Sequence, residues 1–146
     1  MKIKKSGIFV VTILVIASSV VYVVYSVKAL TFEELFAWTA ERLQIAIDSQ
    51  KPLPQIVRMP LKELQALHPE PESGNVLVGL YDFETNVIYV AEEANDGVIV
   101  HEIVHYFQRH YKLRIPEDFW EMHAQLVESD YCEKFGLTMY RPKTLN

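Results

Sequence analysis

Two histidines stand four residues apart, with a glutamate beside the first, in the stretch VIVHEIVHYFQRHY that runs from Val98 to Tyr111. Imidazoles at i and i+4 lie one above the other on a helix, so His101 and His105 can offer ring nitrogens to a shared ion about 2 Å away. Glu102, turned about 100° from His101, is placed to take a proton from a water activated there. Val100, Ile103, Val104, Phe107 and Tyr111 gather on another side, so the segment has one face for the core and a separate face for chemistry. With five histidines and 14 glutamates among 146 residues, the pattern HExxH is expected by chance only about 0.016 times. Two surface histidines with no metal are the competing reading of the same residues.

Two protein ligands leave a zinc site incomplete, and the next helix is expected to supply the third. The segment EDFWEMHAQLVESDYCEKF carries Glu121, His123 and Glu128. On a helix, His123 shares a side with Phe119, Trp120, Val127 and Tyr131, whereas Glu121 and Glu128 lie about 140–160° away on the flank. The apolar side is expected to meet the metal helix, which prefers His123 to Glu121 or Glu128. A core histidine hydrogen-bonded to Asp130 is the alternative for His123. Tyr106, His110, Tyr111, Tyr131 and Tyr140 could each donate to a developing oxyanion, and Gln108 and Lys112 flank the metal face, where they could orient ligands. His68, followed by Pro69 in the breaker HPEPESGN, reads as surface.

HExxH followed by a second helix with the third ligand resembles the zincin metallopeptidases, in particular small gluzincin-like domains whose second motif is Glu followed at once by Ala. In WEMHAQLVESDY, His123 and Ala124 stand where that pair would be. The resemblance spans roughly residues 76–136 and includes an edge strand ahead of the helix, within VLVGLYDF or NVIYVAE. It implies a zinc-dependent peptidase with Zn²⁺ on His101, His105 and His123 and with Glu102 as general base. Its substrate would be a peptide or protein that lies extended against the edge strand. The other class of function is a membrane-tethered metal-binding or interaction module without turnover. Glu102 argues against that, since a binding role needs the ligands only.

The elements that must position these residues follow from periodicity and breakers. TFEELFAWTAERLQIAIDSQ opens with Thr31 and Glu34 in capping-box spacing and predicts a helix whose core side holds Leu35, Trp38, Leu43, Ile45 and Ala46. Pro52 and Pro54 end it; QIVRM predicts a short strand, and PLKELQALH a helix that starts at Pro60. VLVGLYDFETNVIYVAE predicts two strands, 76–81 and 87–91, joined by a turn. The HExxH helix is expected from a cap at Asn95 or Asp96 to about Tyr111, and the last helix is expected to stop at Gly136. The order predicts a small α+β, zincin-like domain with a short sheet or hairpin and the HExxH helix.

Ahead of it, Lys2, Lys4 and Lys5 precede an uncharged run from Gly7 to Val27, which is long enough to cross a bilayer. Residues 1–29 are therefore expected to be a signal anchor or transmembrane helix, or else a cleaved signal peptide. Residues 30–146 are then the metal-dependent hydrolase domain on the exported side, tethered to the membrane or secreted. Setting 1–29 aside leaves 10 basic against 19 acidic side chains, a net charge of −9, and a nucleic-acid surface needs the opposite sign. Cys132 is the single cysteine, so no internal disulfide can form and a buried structural thiol is expected.

Overall fold

The computed structural model describes residues 29–67 and 76–142. The chain separates into two units, Met1–Thr31 and Phe32–Asn146, and every element below lies in the second. Helix α1 (Phe32–Arg42) is followed by strand β1 (Gln55–Met59), helix α2 (Leu61–Leu67), strands β2 (Gly79–Asp82) and β3 (Val87–Ala91), helix α3 (Asp96–His110), a 3-10 turn at Glu117–Phe119, and helix α4 (Trp120–Phe135). The three strands make one sheet in the order β1-β3-β2. β1 runs parallel to β3, with Ile56 opposite Ile88, and β2 runs antiparallel to it, with Tyr81 opposite Ile88. The hairpin is thus joined on its far side by QIVRM, and β2 is left as an edge.

The expected spanning helix at Gly7–Val27 and the surface reading of His68 fall outside the described residues. Among the described residues no helix is long and apolar enough to cross a membrane. The longest, α3 and α4, have 15 and 16 residues and carry charged side chains, whereas a span needs about 20 apolar ones. The fold class expected from the sequence, a domain with a transmembrane helix ahead of it, is corrected accordingly to a small α+β domain of one three-stranded mixed sheet and four α-helices.

Helix boundaries follow local chemistry. The Asn95 side chain accepts from the Gly97 N–H and caps α3. α4 ends at Gly136, whose φ of 66° lets Leu137 N–H bond the Cys132 carbonyl at 2.8 Å. α1 is shorter than its pattern predicts. Gln44 takes φ 56°, and Ile45 N–H closes back on the Ala40 carbonyl at 2.9 Å, the same terminating turn with no glycine to announce it. Ile45 and Ala46 therefore leave the helix.

α3 is the element around which the rest is packed. Ten of its residues are buried, among them Val100, Ile103, Val104 and Phe107 with no exposed surface. Leu35 and Phe36 of α1 join this core, the Phe36 and Phe107 rings lying 4.8 Å apart between centroids. On the sheet side, Ile88 and Val90 are fully buried. α4 comes close because the contact is made of small residues. A Cβ on Gly97 would stand 2.7 Å from the Cys132 sulfur, and Ala124 is fully buried. Arg42 of α1 is ion-paired with Asp130 of α4, so Asp130 is engaged there and not with His123.

At the far end of α3, His110 Nε2 lies 2.7 Å from the Tyr81 hydroxyl, which donates its one proton to Asn86 Oδ1. The hydroxyl oxygen is left to accept from a neutral imidazole. Burial, with Lys51 and Arg109 nearby, holds the His110 pKa below its usual value.

Two outcomes follow from this packing. Gly97→Ala, a change that favours an ordinary helix, is expected here to destabilise the protein by about 1–3 kcal/mol in denaturant unfolding. The loss should shrink in Gly97→Ala/Cys132→Ala, where the sulfur is gone; additive losses would show that the helices do not meet there. For His110, a depressed folded pKa means the fold prefers the neutral ring. Its contribution is present above about pH 6.5 and is lost as the pH falls toward the folded value. His110→Gln should therefore show a shallower fall in thermal stability than the wild type between about pH 7 and pH 5.

Candidate metal centre

The cleft-facing turn of α3 carries the part-buried His101 and His105 with their Nε2 atoms 3.1 Å apart. Each ring is held from behind. His101 Nδ1 faces Glu128 Oε2 at 3.2 Å, and His105 Nδ1 faces Gln108 Oε1 at 2.8 Å. An acceptor on Nδ1 fixes the proton there and leaves Nε2 with its lone pair toward the cleft, the arrangement in which imidazole binds a metal.

Glu121 of α4 completes the group. Its Oε2 lies 3.4 Å from both Nε2 atoms, and Gln125 holds its other oxygen at 2.9 Å. His101, His105 and Glu121 are the group of side chains that can share an ion among the described residues. A triangle with sides of 3.1, 3.4 and 3.4 Å has a centre about 1.9 Å from each corner, so an ion held at about 2.0–2.1 Å fits just off its plane and keeps one side open. Two imidazoles and one carboxylate also suit zinc in donor type.

The charges point the same way. Burial by itself would lower the His101 pKa; the hydrogen bonds from Glu121 and Glu128, with Glu102 adding, reverse that and raise it to about 10. The Glu121 carboxyl is pushed far down by its hydrogen bonds to His101 and His105. The carboxyl groups of Glu102, Glu121 and Glu128 thus favour positive charge at this place.

Glu102 does not join the ligands. It is buried at 5 % exposure on the side of α3 that meets β2, and a Cβ on Gly79 would stand 2.5 Å from its Oε1. Only glycine lets the strand come this near. Burial raises the Glu102 pKa, while the two histidines and the Tyr81 backbone N–H favour its ionised form.

His123, the ligand expected from the apolar pattern of α4, is not in the group. Its Nδ1 lies 3.3 Å from Gln108 Nε2, which also donates to the Trp120 carbonyl at 2.9 Å. The buried side of α4 consists of Ala124, Val127, Glu128, Tyr131 and Cys132, centred about 100° round the helix from His123. The sequence pattern gave weight to Phe119, which is half exposed in the 3-10 turn, and none to Ala124 and Cys132, the small residues that set the close approach. Glu121 and Glu128, seven apart with Ala124 between them, are on the contact side. Glu128 orients His101, a role the sequence reading did not separate from direct ligation.

A cleft of about 620 Å³ opens over these residues. One wall is β2 with the residues before it, and the other includes Gln125 and, from the C-terminal segment, Tyr140 and Arg141. Since Ala91 N–H bonds the Val78 carbonyl, ladder alternation turns the peptide groups of Gly79 and Tyr81 away from β3, toward the open edge. Of the five residues named as oxyanion donors, Tyr140 lines the cleft. Tyr106 is bonded to the Pro52 carbonyl, Tyr111 to Asp48 N–H and His110 to Tyr81, and Tyr131 is buried against Trp38. Lys112 is exposed beyond the end of α3.

In comparisons with known proteins no family model matches the chain, and no curated protein or solved structure matches it either.

Proposed function

We infer that this domain is a metal-dependent hydrolase, with zinc as the ion of choice and a peptide as the substrate of choice. The observation that carries the reading is the meeting of His101, His105 and Glu121 at ligand spacing beside a buried carboxylate that is not itself a ligand. His101 and His105 would hold the ion through Nε2 and Glu121 through Oε2, a set of two imidazoles and one carboxylate in which Glu121 takes the place expected of His123. A divalent ion so held polarises a carbonyl and makes water acidic enough to react near neutral pH.

Glu102 is the proton acceptor. Its carboxyl is desolvated, which raises its basicity, and it is anchored between α3 and Gly79, so little reorganisation accompanies proton transfer. The same group then returns the proton to the leaving amine. The peptide preference is supported by the edge of β2, whose outward peptide groups can pair with an extended chain. This chemistry is what the resemblance to zincin peptidases implies, with Glu121 as the carboxylate ligand.

Metal content and turnover test the reading together. After zinc loading and desalting, the wild type is expected to hold one zinc per chain and His105→Ala none. Glu121→Ala should bind weakly, and His123→Ala should keep its metal. Glu102→Gln should keep the metal yet cleave a mixed-sequence fluorogenic peptide library at least about 100-fold more slowly than wild type. Equal cleavage by the two removes the enzyme reading, and zinc bound without turnover by either makes the domain a metal-binding module.

A further inference from the structure

The Glu128 carboxylate is buried at 3 % exposure and only half used. Oε2 holds His101, whereas Oε1 has no hydrogen-bond partner. A buried carboxylate oxygen without a donor is costly, because it has given up its water and gained nothing for it. The group that can relieve it stands close. Arg141 Nη1 lies 3.8 Å from Glu128 Oε1, within ion-pair range and about 0.6 Å beyond hydrogen-bond reach. Arg141 is the one lysine or arginine among the described residues that line the cleft. Its other contacts are local: Nη1 donates to the carbonyl of its neighbour Tyr140 at 3.0 Å, and Nη2 faces the Met139 sulfur at 3.8 Å. A guanidinium has five N–H donors, so most of its capacity is unspent.

The backbone brings Arg141 there by design of the turn. The left-handed Gly136 turn sends the chain back from the end of α4, and Asn95 Nδ2, from the residue that caps α3, bonds the Thr138 carbonyl at 2.7 Å. Residues 137–142 are thereby tied to the start of the helix that carries both histidines.

We propose that Arg141 is the positioning residue of this centre: it docks on the free oxygen of Glu128, locks the carboxylate that aims His101, and so fastens the C-terminal segment over the bound ion. The role rests on the metal reading above. A charge-assisted pair at Oε1 fixes the carboxylate plane, which fixes the His101 ring through Nδ1. In this role Arg141 acts through Glu128 and is not itself a ligand of the ion.

The test follows zinc release and stability in the full chain. Zinc-loaded wild type, Arg141→Gln, Arg141→Lys, Glu128→Gln and the Arg141→Gln/Glu128→Gln double variant are mixed with excess chelator, and the melting temperature of each is taken without metal. Arg141→Gln should release zinc about 10-fold faster than wild type or more, and Arg141→Lys should recover part of the difference. In the Glu128→Gln background the arginine change should add less than about twofold, since it acts through that carboxylate, and the metal-free melting shifts of the two changes should not add. Wild-type release by Arg141→Gln, or the same acceleration with Glu128 already changed, overturns the proposal, as do additive melting shifts. A wild type that takes up no zinc sinks the metal reading and this role with it, whereas zinc uptake with unchanged release sinks the role of Arg141 alone.

Discussion

Everything at this site depends on two imidazoles pointing their Nε2 atoms at one place, and a helix alone does not secure that. Spacing by four brings the rings to the same side, but each can still turn about its side-chain bonds. What removes the freedom is an acceptor behind each Nδ1: Glu128 from α4 for His101, and Gln108 from α3 itself for His105. Gln108 then reaches on to the Trp120 carbonyl at the start of α4. The two helices are therefore joined through the same side chains that aim the ligands, and their packing sets the site geometry directly.

The arrangement is electrostatically expensive, and the fold shows how the expense is contained. Glu102 and Glu128 are both buried, with the exposed Glu121 beside them; the two buried carboxyl groups give up water, and three acidic groups so close repel one another when ionised. Positive charge at His101 would offset part of this, and on the proposed function a divalent ion would offset more. The surrounding structure supplies the remaining stability from α3, whose apolar positions are packed by α1, the sheet and α4 on three sides. A helix that projects histidines and a carboxyl group from one strip needs almost all its other surface in the core.

Much of this was legible in the residues and some was not, for identifiable reasons. α3 declared itself through Asn95, its apolar side and its HExxH pattern, because capping and periodicity are local. The hairpin was legible for the same reason. The parallel pairing of β1 with β3 was not, since no residue in QIVRM says which strand it will meet. α1 stopped early at Gln44 because a left-handed turn can close without glycine when the backbone bonds suffice. His123 was expected beside His101 and His105 through the weighting of apolar residues, and Glu121 stands there instead. Large side chains at Phe119 and Trp120 looked like the buried side of α4, but helices come closest where residues are small, and Gly97, Ala124 and Cys132 decide the contact. Reading α4 for small residues would have turned Glu121 and Glu128 toward the histidines.

Strand β2 ties Glu102 and the cleft into one unit. Gly79 is where β2 comes closest to α3, close enough that its missing side chain makes room for the Glu102 carboxylate. Tyr81, two residues on, offers its N–H to the same carboxylate and sends its ring into the core against Tyr106. The peptide groups of these two residues also face the open edge. On the proposed function, a chain laid along that edge would be registered by those backbone groups of Gly79 and Tyr81 that Glu102 does not use, so its distance from Glu102 would be set by one strand. Only the short connection from Glu92 to Asn95 lies between the hairpin and α3, and a longer link would let Glu102 and the strand edge move apart.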